Sequence, residues 1–281
     1  MNGLFLSPSI SEPPGWQGRL MNIAHHSAMV KLQCGDGLKT GLEGDRVLPD
    51  VGGIVWDKDG TLADSFPFLL ELAQRRANRI EKQVPGLRAA LLTAWGANGA
   101  LDPTGLMAVG TRHDNEIAAA AYLAAQGCGW VAALALVREA FVAADQAVTS
   151  KASLTPPFPG IASLLETCHG LGLPMAVISG DTTAHVAEFL QQYGLDRWMT
   201  WSRGSNRDLA KPDPALFHQA CDRLNVPPSE VWVIGDSELD GVLARQGGAA
   251  GWISVTWGGS PPAATADAVV DQVSQLAVCP D

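Results

Sequence analysis

No two cysteines in this sequence form a C-x-x-C pair. Five occur, at positions 34, 128, 168, 221 and 279. A scattered, odd-numbered set frames neither a zinc site nor a disulfide scaffold, so free thiols in a reducing cytoplasm are expected. Long apolar runs are missing too. No window reaches the roughly 18–20 uninterrupted apolar residues of a membrane span, and the softest stretch, Ala118 to Ala135, is broken by Gln126, Gly127 and Gly129. The amino-terminal residues lack the basic and apolar regions of a secretory signal. Charge is scarce: 17% of residues carry it, against a usual value of about 25%. Bases are scarcest, 19 against 29 acids, for a formal net charge of −10. That argues against broad nucleic-acid binding, which needs Lys and Arg to neutralise phosphates. A small anionic ligand needs only a local site and is not excluded. No pattern sets an oligomeric state.

The chain divides by texture. Residues 1–48 are rich early in Ser, Pro and Gly, and read as a poorly ordered extension with one short strand-like run at Met29 to Leu32. Residues 66–155 are rich in Ala and Leu with helical spacing, interrupted by glycines between Gly96 and Gly110; they read as an inserted helical unit. Residues 49–65 and 156–281 read as one core. Within it, apolar runs at Gly52 to Trp56, Pro174 to Ile178, Val231 to Ile234 and Gly251 to Val255 alternate with helical segments at 161–170, 182–193, 214–224 and 239–246. Continuous apolar runs between helices predict a parallel sheet covered on both faces. Ligands bind such sheets at the carboxyl ends of the strands.

Three of those runs end in polar residues. The first ends in Asp57-Lys58-Asp59-Gly60-Thr61, the second in Ser179-Gly180-Asp181, and the third in Gly235-Asp236-Ser237-Glu238-Leu239-Asp240; Lys211 stands before a helix between the last two. Adjacent strands would gather these ends. Clustered carboxylates repel unless a cation lies among them, and oxygen-only ligands suit Mg²⁺. A carboxylate can attack phosphorus, and a second carboxyl two residues on can move a proton to or from the reacting oxygens. A lysine can neutralise the nucleophile and the phosphoryl group.

In order and type these four segments resemble the motifs of the haloacid dehalogenase superfamily: D-x-D-G-T, a strand ending in Ser or Thr, a Lys, and G-D-x-x-x-D. The four fixed residues of the first motif alone arise by chance at about 10⁻⁵ per window. The resemblance covers about residues 50 to 260. It implies a doubly wound parallel α/β sheet with an inserted helical cap, and a Mg²⁺-dependent phosphatase acting on a small phosphorylated metabolite. Asp57 would be nucleophile and metal ligand. Asp59 would be general acid/base and would ligate metal through its carbonyl. Lys211 would be a catalytic cation, Asp236 a further metal ligand, and Asp240 a supporting group. Ser179 and Gly180 would hold phosphate oxygens, with Thr61 steadying the phosphate loop. Leu62 to Ser65 and Lys211-Pro212-Asp213-Pro214 look like the subgroup of phosphoglycolate phosphatase and beta-phosphoglucomutase. Asp59 argues against the dehalogenase and phosphonatase branches, which lack it. A sugar phosphomutase and a noncatalytic phosphometabolite-binding protein are the competing functions.

Other residues receive plainer readings. Lys58, where apolar residues are frequent in the family, is expected to point away from the site by strand alternation. Asp181 or Thr182 is placed to cap the helix at 182–193, and Asp64 is expected to cap the first helix of the inserted unit. Lys151 and Arg75, Arg76 and Arg79 are expected on a helix surface. Arg112 and His113 could meet a distal anionic group of the substrate. The tryptophans, Trp95, Trp130 and Trp252 among them, are expected in packing. The acidic excess falls on the core, since residues 66–155 hold seven acids and eight bases.

Overall fold

The computed structural model describes residues 30–34, 46–148 and 150–280. Six parallel strands form the main sheet: β3 (Gly53–Trp56), β4 (Met175–Ser179), β5 (Trp201–Gly204), β6 (Val231–Gly235), β7 (Gly251–Val255) and β8 (Ala268–Val270). Their spatial order is β5-β4-β3-β6-β7-β8. The chain leaves β3 on one side, reaches β5, then returns to lay β6 against the other side of β3. The strand order therefore reverses at β3, where a doubly wound sheet opens its ligand crevice.

Side-chain alternation along these strands builds two cores. Ile54, Trp56, Met175, Val177 and Ile234 face one way, and pack on Leu165 and Cys168 of α6 (Ile161–Gly170) and Phe189 of α7 (Thr183–Gln192). Val55, Ala176, Ile178, Val231 and Val233 face the other way, onto α8 (Pro214–Leu224) and α9 (Glu238–Gly247). Burial on both faces explains why β3, β4 and β6 read as unbroken apolar runs rather than alternating ones. β5 was not legible, because Trp201, Ser202 and Arg203 at this sheet edge are only half-buried.

The expectation of a poorly ordered stretch over residues 1–48 meets a different arrangement where the chain is described. β1 (Val30–Cys34) and β2 (Arg46–Val51) join β9 (Leu276–Pro280) in an antiparallel sheet of order β2-β1-β9, and β2 leads into β3. The strand-like run at 29–32 falls largely on β1. Residues 1–29 and 35–45 lie outside the described residues. No helix among the described residues is long and apolar enough to cross a membrane.

Between β3 and α6 lie α1 (Phe66–Glu81), α2 (Arg88–Ala94), α3 (Leu106–Val109), α4 (Arg112–Ala125) and α5 (Trp130–Asp145). Pro67 suits the first turn of α1, and Thr111 and Asp114 form a reciprocal capping box on α4. These helices have their own apolar cluster around Leu72, Ile80, Leu91, Trp95, Leu123, Val137 and Phe141, separate from the two sheet cores. The helical unit, or cap, joins the core through two strands of linker tied side by side. The Asp64 N–H donates to Pro156 O at 2.8 Å and the Phe158 N–H to Leu62 O at 3.0 Å.

Phe141 anchors the cap cluster. It is fully buried, meets Trp95 edge-on at 5.8 Å and lies under the Arg76 guanidinium at 4.3 Å. Phe141→Ala is expected to cost about 3–5 kcal/mol through the cavity it leaves. Chemical denaturation checks this; an unchanged midpoint would show that the cap core does not depend on this ring.

Candidate active site

β3, β4 and β6 each stop where a polar residue begins, and their carboxyl ends meet. Asp57 follows Trp56 at the end of β3, Asp236 follows Gly235 at the end of β6, and Asp240 lies in the first turn of α9. The turn after β3 is fixed by backbone bonds: the Leu62 and Ala63 N–H groups donate to Lys58 O, and the Gly60 N–H to Ala63 O. Gly60 takes φ +81°, and a Cβ there would lie 2.2 Å from Asp236 Oδ2. This glycine is required twice, for a left-handed backbone and for the close approach of the Asp236 carboxylate.

Asp57, Asp236 and Asp240 offer carboxylate oxygens within 4.8 Å of one another, all buried. Lys211, brought in from the segment before α8, donates to Asp57 Oδ1 and, at 2.8 Å, to Asp240 Oδ1. The other Asp240 oxygen accepts from the Ser237 N–H at 3.1 Å and hydroxyl at 2.7 Å. Asp236 accepts from the Ser260 hydroxyl at 2.6 Å. Asp57 Oδ2 is buried and has no hydrogen-bond partner among the described residues.

The electrostatics follow from this crowding. Burial pushes the Asp57 carboxyl up to about 7 against the pull of Lys211, with Asp240 and Asp59 adding to the rise. Asp236 is raised well above the usual carboxylate range by burial, then by Asp57 and Asp240. Burial works against the Lys211 charge, but Asp240 and Asp57 outweigh it and hold the ammonium protonated. One lysine thus faces three carboxylates. An oxygen-only donor set with an orphaned carboxylate oxygen fits a hard divalent cation; Asp57 and Asp236 would hold it, with Asp240 nearby.

Asp59 stands in different company. Its Oδ1 accepts from Lys58 Nζ at 2.6 Å and its Oδ2 lies 3.4 Å from the Ser179 hydroxyl. Burial opposes its charge, but Lys58 and Lys151 hold its carboxyl below the ordinary value. The Asp59 carbonyl accepts none of the turn's backbone bonds described above, which run to Lys58 and Ala63. Ser179 is fully buried, and its oxygen accepts from the Asp181 N–H at 3.0 Å. Gly180 lines the cavity described below, as do Asp57, Asp59, Lys211 and Asp236. Thr61 is fully buried, does not line that cavity, and its carbonyl accepts from Trp257 Nε1 at 2.9 Å. The Thr61 hydroxyl oxygen is buried without a partner among the described residues.

Several plainer expectations are corrected. Lys58 does not point away: it is buried between Asp59 and Asp181. Strand alternation does not extend to it, because β3 ends at Trp56 and Lys58 lies in the turn. Of the two candidates for the cap of α7, Thr182 is the one, not Asp181. The Asp181 oxygens take Lys58, Lys151 and His185. Lys151 lies in the cap's return linker, not on a helix surface. Arg76 is buried and bonded to Asp145 at 3.0 Å. The residue preceding α1 is Ser65, so Asp64 is not its cap. Of the tryptophans, Trp95 and Trp252 are buried while Trp130 is exposed.

A cavity of about 650 Å³ opens over these groups, between the core and the cap. Its cap wall includes Phe68, Leu72, Met107, Arg112, His113 and Glu116. Arg112 is already engaged, by Glu116 at 2.9 Å and by Asp145. His113 presents a ring nitrogen, Nδ1, that is buried without a partner among the described residues.

The sequence profile of the haloacid dehalogenase-like hydrolases matches residues 51–248. A phosphoglycolate phosphatase of Pseudomonas savastanoi pv. phaseolicola is 28% identical over 198 residues, 70% of this chain and 66% of that protein. A phosphoglycolate phosphatase of Photobacterium profundum is 28% identical over 229 residues, 79% of this chain and 93% of that protein. A solved structure from Haemophilus somnus 129pt, named as a predicted phosphoglycolate phosphatase, superposes with a TM-score of 0.61 at 20% identity, covering 80% of this chain and 96% of that one. At that identity it speaks for the fold.

Gly60→Ala is expected to force Asp236 and the turn apart, costing about 1–3 kcal/mol. Denaturant unfolding measures it, and an unchanged midpoint would show that the turn has room to give.

Proposed function

The chain belongs to the haloacid dehalogenase-like hydrolases, and from that membership we propose that it is a Mg²⁺-dependent phosphatase of phosphoglycolate-phosphatase-like character, releasing phosphate from a small phosphorylated metabolite through an aspartyl-phosphate. One observation carries the reading. Lys211 engages one oxygen of Asp57 while the other stays buried and unpartnered amid two further carboxylates. A carboxylate so placed is a nucleophile that a cation would complete. The relatives named phosphoglycolate phosphatase support the choice of ester. The cysteine pattern supports a cytoplasmic setting.

In the proposed path an Asp57 oxygen attacks phosphorus in line with the leaving oxygen. Asp59, held ionised by Lys58 and Lys151 in the free site, takes a proton from the phosphate monoester as it binds and gives it to the leaving oxygen as that P–O bond breaks. Asp59, now a carboxylate, takes a proton from water; the water oxygen attacks phosphorus, the P–Oδ bond breaks, and its electron pair returns to Asp57. Lys211 offsets charge on Asp57 and on the phosphoryl group throughout. When bound, Mg²⁺ supplies charge neutralisation to the phosphoryl oxygens. Asp57 and Asp236 would hold it, with the Asp59 carbonyl as a further ligand, while Asp240 keeps Lys211 in place. Ser179 steadies the Asp59 turn and the Gly180 backbone faces the transferred group. The cap closes the cavity against bulk water.

Asp57→Asn is expected to lower phosphate release from 2-phosphoglycolate by about 10³-fold or more while leaving the melting temperature near or above that of the wild type. Near-wild-type turnover in this variant would sink the mechanism. Formation of an isomer from a sugar phosphate, in place of phosphate release, would favour the phosphomutase.

A second expectation follows from the Asp57 carboxyl. Its folded value of about 7 stands above the unfolded 3.8. Without cation the folded state therefore binds the extra proton between those values, and this group lowers stability as pH rises through that window. A divalent cation displaces the proton, so Mg²⁺ is expected to raise the melting temperature more at about pH 8 than at about pH 5. Thermal unfolding with and without Mg²⁺ reads this directly; an equal shift at both values would count against the assignment of Asp57 as a ligand.

A further inference from the structure

Lys58 is fully buried, yet it is not part of the cavity wall. Its Nζ lies 2.6 Å from Asp59 Oδ1, 3.2 Å from Asp181 Oδ2 and 5.7 Å from the centroid of the Phe189 ring. Asp181 is itself held from four sides. It accepts from Lys151, from His185 Nδ1 at 2.9 Å and from the Thr182 N–H at 2.9 Å, besides Lys58. Three parts of the chain thus converge on one ammonium: the turn after β3, the start of α7 and, through Asp181, the cap's return linker. A lysine so confined is a fixed arm. It occupies one Asp59 oxygen and leaves Oδ2 the less engaged of the two, with the Ser179 hydroxyl 3.4 Å away.

We propose that Lys58, clamped by Asp181, is a positioning residue that fixes the Asp59 carboxylate so that its second oxygen takes the proton of the water attacking the aspartyl-phosphate. The inference rests on the roles given to Asp57 and Asp59 above. Lys58 acts through Asp59 and touches no reacting atom. Loss of the arm leaves the attack of Asp57 on phosphorus in place and lets the Asp59 side chain swing during the water step. With 4-nitrophenyl phosphate the leaving group departs without needing a proton, so kcat/KM reports the attack by Asp57, and kcat reports the water step once that step is slowest. A defect confined to the water step lowers kcat and KM together. A merely loosened site lowers both kcat and kcat/KM.

The test compares wild type, Lys58→Met and Lys58→Arg on 4-nitrophenyl phosphate with Mg²⁺, by steady-state and stopped-flow kinetics. Lys58→Met is expected to lose about tenfold to a hundredfold in kcat, part of the ~10²–10⁴ that a well-placed proton-transfer group supplies. Its KM falls alongside, and the stopped-flow trace shows a nitrophenolate burst close to one per site. Lys58→Arg, which keeps the charge and the ion pairs, recovers most of kcat. A kcat that does not change, or a parallel fall in kcat and kcat/KM without a burst, overturns the proposal. If Lys58→Met fails to fold, Asp181→Asn is read by the same signature, and absence of the burst there overturns it equally. A wild-type protein that releases no nitrophenol, or an Asp57→Asn protein as fast as wild type, fails the parent reading. An active wild type with Lys58→Met indistinguishable from it fails this proposal alone.

Discussion

Three carboxylates buried around one ammonium set the terms for the rest of the molecule. Asp57 and Asp240 share Lys211, Asp236 crowds in beside them, and none of the three could be held there by packing alone. Burying charge without a partner costs several kcal/mol per ion, so the fold surrounds these groups with donors: Ser260 on Asp236, Ser237 on Asp240, Lys211 on Asp57 and Asp240. Among the described residues, the buried carboxylate oxygen left without a hydrogen-bond partner is one of Asp57. The parallel sheet is the device that makes this crowding possible, because it delivers strand ends from distant parts of the chain to one edge.

A few ångströms away the same residue type is set to the opposite state. Asp59 and Asp181 lie among Lys58, Lys151 and His185, where the positive partners win over burial and both carboxyls fall below their ordinary value. Asp57 and Asp236 lie where burial and like charge win. Without a cation Asp57 is thereby the group that holds a proton, while Asp59 two residues on is kept ionised by its lysines. Two acids so close in the chain are set to opposite states by what surrounds each of them.

Much of this was readable before any coordinates. The strands β3, β4, β6 and β7 announce themselves as unbroken apolar runs because both their faces are covered, and the polar residue ending each of the first three marks the site. The sequence could not reveal Lys58. Its direction depends on where β3 stops, and the strand's periodicity gives way to a turn one residue after Trp56. Lys151 and Arg76 were misread for a related reason: a basic residue in a helical stretch looks like surface charge until tertiary contacts bring an acid to it. Ser260 follows β7 with no local signal at all. The antiparallel sheet of β1, β2 and β9 joins segments more than two hundred residues apart, so no window contains it.

The two linkers hydrogen-bonded side by side at Leu62–Asp64 and Pro156–Phe158 carry a consequence for how such a molecule can change over generations. The entrance and exit of the cap are neighbours, so the cap's length and content are invisible to the sheet: only the paired stems must be kept. The chemistry beneath and the selectivity above can therefore be inherited separately. A cap exchanged whole would bring a new repertoire of esters to an unaltered centre, save for threads that cross the seam from the return linker: Lys151 to Asp181, Ser150 to Glu188 and Tyr193 to Ala152.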